Sequence, residues 1–290
     1  MWLRRSLDRA ALVLVAPRCN IGCMRHIAVT ALGLLLAAPA GASAQVTQVQ
    51  LTYDAYAAGI EVMQMRASFG LGPWNYRVGI DYHTTGLVGL FYRGHQVNAA
   101  SGLWDEGHVE PQQFSGDGVW RGIHRITLID YNRGVPEVKQ LVPPQTSERE
   151  PVPSELQRNT MDTLSALAQL IHNVELTKSC DTTVRTYDGR RVLEVVARTG
   201  GMETLEPTSR SSFSGSALRC DFEGREVAGF LIGQDDPEHR RPLDGSAWLV
   251  PLLPNTAPLP ARISFQTRWF GPAIMYLTSA TPNGGAAASR

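Results

Sequence analysis

Over most of the chain beyond residue 50, apolar and polar residues alternate with a period of two, the spacing of a strand with one buried face. Tyr53, Ala55 and Ala57 alternate with Thr52, Asp54 and Tyr56. After Gly59, in 60–69, Val62, Gln64 and Arg66 stand opposite Met63, Met65 and Ala67. Two such runs around a small-residue turn predict an antiparallel hairpin. Tyr76, Val78 and Ile80 begin a third strand, and 96–104 can pair back on it. Further strands are expected at 123–131, 136–141, 182–187, 192–198, 214–222, 247–251, 261–268 and 273–279. The rhythm breaks at 161–175, where Met161, Leu164, Ala168, Ile171 and Val174 recur at helical spacing, with Thr160 as N-cap and Asp162 in the first turn. The run 86–91 is either a helical turn or a bend. The pattern therefore predicts a mainly β protein, a large curved antiparallel sheet or open half-barrel, with one principal helix at about 160–175 packed against it.

The N-terminal segment changes the compartment. Arg25 and His26 precede an apolar run over 27–39, and Ala42-Ser43-Ala44 closes it. A basic start, an apolar core and a small-residue site in that order make 1–44 a secretory signal, with translation starting at Met24 as a shorter alternative. The run is too short to span a bilayer comfortably. A mature chain from Gln45 would fold as one β-rich domain over 45–281, followed by a disordered Gly- and Ala-rich tail over 282–290. Export to the periplasm places the two remaining cysteines, Cys180 and Cys220, in an oxidising compartment, where a disulfide is favoured over a reactive thiol pair or half a metal site.

Composition removes several functions. Formal net charge is +0, so net electrostatics gives no reason to expect nucleic acid or an anionic membrane surface as a partner. The chain carries no nucleophile elbow, no H-E-x-x-H, no P-loop and no dinucleotide fingerprint, so neither an enzyme nor a cofactor is expected. His83, His95, His108 and His124 lie on or beside predicted strands; convergence of these on a metal is the weaker reading, surface histidines the stronger. Tyr187-Asp188-Gly189-Arg190-Arg191 is a hairpin turn signal, with Arg190 and Arg191 left either to the turn or to gripping an anion.

Several of these features occur in an order that resembles a known bacterial envelope family, domain of unknown function 3108. They are the Tyr53-Asp54 to Gly59 pair, Thr85-Gly86-Leu87, Met161-Asp162-Thr163-Leu164-Ser165-Ala166-Leu167, the Tyr187-to-Arg191 turn and Pro260-Ala261-Arg262. Thr163 stands where the family more often has proline. The resemblance implies kinship with open, half-barrel lipoprotein carriers, in which a curved sheet wraps helices and shelters an apolar cavity. It implies no activity. Two functions follow as expectations. In the first, the protein holds or carries an apolar ligand such as a lipid in the periplasm, beside or against the outer membrane; Met63, Met65 and Leu164 line the cavity and Arg190 and Arg191 contact an anionic group. In the second, it is a structural or partner-binding envelope protein whose sheet is filled by its own side chains.

Overall fold

The computed structural model describes residues 48–91, 93–233, 241–267 and 271–283. The chain divides into a unit of residues 1–43 and a unit of residues 44–290. The segment read above as a secretory signal, 1–44, and most of the expected tail, 284–290, lie outside the described residues.

The strands are β1 (Gln48–Ala57), β2 (Ile60–Leu71), β3 (Asn75–Thr84), β4 (Gly94–Asp105), β5 (His108–Trp120), β6 (Ile123–Asn132) and β7 (Val135–Val142), then β8 (Thr182–Tyr187), β9 (Val192–Leu205), β10 (Gly215–Ala228), β11 (Leu243–Pro251), β12 (Pro258–Thr267) and β13 (Gly271–Asn283). All belong to one antiparallel sheet in the order β7-β6-β5-β4-β3-β2-β1-β13-β12-β11-β10-β9-β8. The first half is a meander because its turns leave no alternative. Ala58-Gly59, Glu106-Gly107, Arg121-Gly122 and Arg133-Gly134 are two-residue loops with both residues at positive φ, the geometry that matches strand twist. Three helices interrupt the strands: α1 (Gly86–Phe91) between β3 and β4, then α2 (Ser154–Gln157) and α3 (Thr163–Thr177) between β7 and β8.

Alternation decides which face is inside. Val49, Leu51, Tyr53, Ala55 and Ala57 of β1 are all buried, and the register places them beside Phe69, Ala67, Met65 and Met63 of β2 and Leu277, Met275 and Ala273 of β13. The sheet curves around α3, since that one helix touches β3, β4 and β5 from one half and β8 and β12 from the other. Leu164, Ala168, Ile171 and Val174 are its buried stripe, at the spacing read from the sequence. Met161 is not part of it. It precedes the helix and pairs with β8, its amide donating to the Arg185 carbonyl at 3.0 Å and its carbonyl accepting from Tyr187 at 2.8 Å.

The helix start differs from the sequence expectation. Asp162, not Thr160, is the N-cap: its Oδ1 accepts from the amides of Leu164 and Ser165, both at 2.9 Å. The Thr160 hydroxyl instead donates back to the Gln157 carbonyl at 2.7 Å. A carboxylate that can accept two amides at once is the better partner for a helix dipole's positive end, so the carboxylate takes the cap. The last strand also runs four residues past its expected end at 279 and into the segment read as a disordered tail, Pro282 standing opposite Val49 and Asn283 opposite Gln48.

No ladder joins the edge strands β7 and β8 among the described residues. The segment 143–161 straps the gap instead. Gln145 Nε2 donates to the Arg190 carbonyl at 2.9 Å, the Glu150 amide to Phe230 at 2.9 Å and the Asn159 amide to Gly134 at 2.9 Å.

Candidate functional site

Helix α3 does not run the full length of the concave face. Its Gln169 is clamped to the β4–β5 turn, Oε1 accepting from the Val109 amide at 2.7 Å and Nε2 donating to the Gly107 carbonyl at 3.0 Å. The Trp104 and His172 rings stack at 4.2 Å. Just past the helix's C-cap Lys178, which turns the chain at φ 59, Cys180 is bonded to Cys220 of β10, so the expected disulfide is present and wholly buried. These contacts hold the helix toward the end of the sheet that carries the β2–β3, β4–β5 and β6–β7 turns. Antiparallel order puts α1, the β1–β2 and β5–β6 turns and the β10–β11 connection at the opposite end, referred to below as the α1 end.

Toward the α1 end the concave face is apolar but only partly covered. One register row runs from Met63 through Ala55, Met275, Ile263 and Ala247 to Cys220, and the next from Ala57 through Ala273, Phe265 and Gly245 to Phe222. Met63, Met65, Ile80, Phe222, Ile263 and Phe265 are half-buried here, unlike the fully enclosed residues beneath α3. Gln96 and Asn98 add polar groups to the same face; their side chains lie flat because Gly116 and Gly118 leave room, a Cβ at Gly116 falling 2.6 Å from Asn98 Oδ1. Amide Nε2 of Gln96 donates to Asn98 Oδ1 at 3.1 Å.

At the inner limit of this hollow sits a buried polar group. The Tyr76 and Ser165 hydroxyls are 2.6 Å apart, and Ser165 Oγ donates to Asp162 Oδ2 at 2.5 Å. Burial pushes the Asp162 carboxyl up to about 6 against the pull of its hydrogen bonds from Leu164 and Ser165, which favour the charged form. Burial raises the Tyr131 phenol, and the nearby Asp162 charge raises it further. Its hydroxyl is enclosed with no hydrogen-bond partner among the described residues.

The residues singled out in the sequence fall in two places. Met63, Met65 and Leu164 join one apolar cluster, with Leu164 sealed under the helix and the methionines at its open margin. Arg190 and Arg191 lie at the seam. Arg190 is 9% exposed and donates from Nη1 to the Pro143 carbonyl at 2.7 Å and from Nη2 to Val142 at 2.8 Å. Arg191 faces Asp188 at 3.2 Å and Glu226 at 3.7 Å. Arg190 thus fastens the β8–β9 turn to the end of β7 and the strap, and Arg191 ties the turn to its own Asp188 and to β10, which accounts for the arginines that the turn alone did not explain. Beside them Arg149 pairs with Glu226 at 2.7 Å and Arg125 with Glu148 at 2.6 Å.

His83 and His95 stand opposite each other on β3 and β4, but no group of three metal-ligating side chains gathers among the described residues. His95 pairs with Asp81 at 2.9 Å and His124 with Asp117 at 2.7 Å, all exposed.

A family profile described as protein of unknown function DUF3108 matches residues 52–278. The chain belongs to that family. No curated protein sequence matches it. Among solved structures, the chain resembles a β-barrel-like protein of the DUF1849 family from Brucella abortus, with a TM-score of 0.48 and 11% identity over 83% of this chain and 99% of that one. It also resembles a protein described as a lipoprotein from Parabacteroides distasonis, with a TM-score of 0.32 and 9% identity over 82% and 96% of the two chains. A third is a domain described as an outer membrane lipoprotein-sorting protein from Vibrio parahaemolyticus, with a TM-score of 0.26 and 7% identity over 83% and 88%. At these scores the likeness is one of general outline.

Proposed function

We propose that this DUF3108 protein is a non-enzymatic binding module of the periplasm that shelters an apolar ligand, a lipid or similar molecule, in the α1-end hollow of its curved sheet. The observation that carries this reading is the incomplete cover of the concave face. A sheet that only needed a core would be sealed by α3 throughout, yet Met63, Met65, Phe222, Ile263 and Phe265 stay half-buried on the inner side. Methionine and aromatic side chains suit a ligand of variable shape, since they repack at little cost. Gln96 and Asn98 offer hydrogen bonds to a polar group on such a molecule.

Native mass spectrometry of the chain from Gln45, purified from the periplasm without detergent, tests this. A stoichiometric lipid, lost when Met65 is replaced by Asp in a variant that keeps its circular dichroism, supports the reading. A clean apo mass that persists when lipids are added back overturns it in favour of a packed, partner-binding envelope protein.

A further inference from the structure

The α1 end carries a second unexplained feature, on its outside. Helix α1 ends in exposed apolar residues, where a surface helix ordinarily turns its apolar residues inward. Its two largest apolar residues at the exit, Leu90 and Phe91, are 71% and 79% exposed. The helix is nevertheless firmly seated. A Cβ at Gly86 would fall 2.8 Å from the Glu61 carbonyl and one at Gly89 2.9 Å from the Thr84 carbonyl, so glycine lets the backbone sit hard on β2 and β3. The exposed pair is therefore held out by a fixed support.

It is not alone. Ile60 on the β1–β2 turn and Trp120 and Ile123 flanking the β5–β6 turn are 50%, 37% and 46% exposed, and the strand order brings all of them to the same end. The Trp120 ring lies across Gly94, whose Cβ would fall 2.6 Å from ring atom Cζ3. Between α1 and β5 is a cleft of about 390 Å³ walled by Leu90, Val119 and the threonines 84 and 85, with exposed Arg93 on its lip.

We propose that this rim docks on the surface of an anionic lipid bilayer, Leu90 and Phe91 entering the acyl boundary and Arg93 meeting a lipid phosphate. Protruding apolar tips on separate turns fit a fluid surface, which has no shape to match, and an aromatic ring with a neighbouring arginine is the composition of a membrane interface. The cation on the lip complements the negative surface potential of such a bilayer. The docking stands on the outer rim and does not require the hollow to be filled.

Flotation of the chain from Gln45 with vesicles of phosphatidylethanolamine and phosphatidylglycerol tests it, against vesicles of phosphatidylcholine alone. Trp74, 78% exposed on the β2–β3 turn at the far end, supplies the control. Binding to the anionic vesicles is expected to fall roughly a hundredfold in a Leu90→Asp/Phe91→Asp double variant, to weaken in Arg93→Glu, and to be unchanged in Trp74→Asp. Absence of wild-type flotation, or equal loss in Trp74→Asp, overturns the proposal; capture of an envelope protein through Phe91 without vesicle binding also overturns it and makes the rim a protein-docking surface. Ligand retention by the double variant, read by native mass spectrometry, separates failure of docking from failure of the carrier reading.

Discussion

The hydroxyl of Tyr76 on β3 lies 2.6 Å from the hydroxyl of Ser165 on α3, and through it one strand of the sheet is tied to the carboxylate that caps the helix. Helix position and sheet curvature are therefore coupled through this buried contact. Tyr76→Phe removes one neutral hydrogen bond and is expected to cost about 1 kcal/mol, whereas Asp162→Ala strands two helix amides and the Ser165 hydroxyl and costs about 3 kcal/mol. Urea unfolding of the two variants checks the ratio, and equal losses would contradict the coupling.

The same carboxyl makes stability depend on pH. Its folded pKa, about 6, lies above the ordinary aspartate value of 3.8, so the folded state binds the proton more tightly than the unfolded chain. The contribution is fully present below about pH 4 and is lost as pH rises through 6, amounting to about 3 kcal/mol at its limit. Asp162→Asn keeps an N-cap acceptor and removes the titration. The difference in unfolding free energy between wild type and Asp162→Asn is expected to change between about pH 4 and pH 7; a difference that is flat across this interval would refute the assignment.

Arg190 offers a test of the seam. Arg190→Ala deletes two charge-assisted bonds to the carbonyls of Val142 and Pro143 and is expected to cost about 3 kcal/mol. Lysine, a point charge without the fork, restores less than half of this. Limited proteolysis should cut first within 143–153 in the alanine variant, and unchanged cleavage there would show that the strap holds without the arginine.

The disulfide closes a sequence separation of 40 residues between the end of α3 and β10. Chain entropy assigns it about 4 kcal/mol. A Cys180→Ala/Cys220→Ala variant should unfold at correspondingly lower urea, with α3 the first element to lose amide-exchange protection; a global loss with α3 no more labile than the sheet would place the bridge's effect elsewhere.

Most of this architecture could be read from period-two alternation and from the helical stripe of Leu164, Ala168, Ile171 and Val174, because each reports directly on which face is buried. Strand β5 could not. Its sequence carries Pro111, Gly116 and Gly118 and few apolar residues, all signals against a strand. It is a strand because β4 and β6 pair with it on either side, and its glycines serve the amides of Gln96 and Asn98 lying across it. Local composition cannot announce space left for another strand's side chains. Helix α1 was ambiguous for a related reason: its glycines answer to carbonyls of Glu61 and Thr84, which lie elsewhere in the chain or before the helix begins. Of the candidate site, Met63 and Met65 were legible as one face of a strand. Arg190 was not, since its partners lie 47 and 48 residues away on the strap.

The strap between β7 and β8 has a geometric consequence. In a sheet closed by hydrogen bonds, strand number and stagger fix one circumference, and a change of girth must break a ladder. Here the closing line is made of arginine forks, an amide side chain and a few backbone contacts, while every ladder bond lies elsewhere. A parting of the wall along that one line would leave the thirteen described strands paired, so a change of girth there breaks no ladder bond of the sheet.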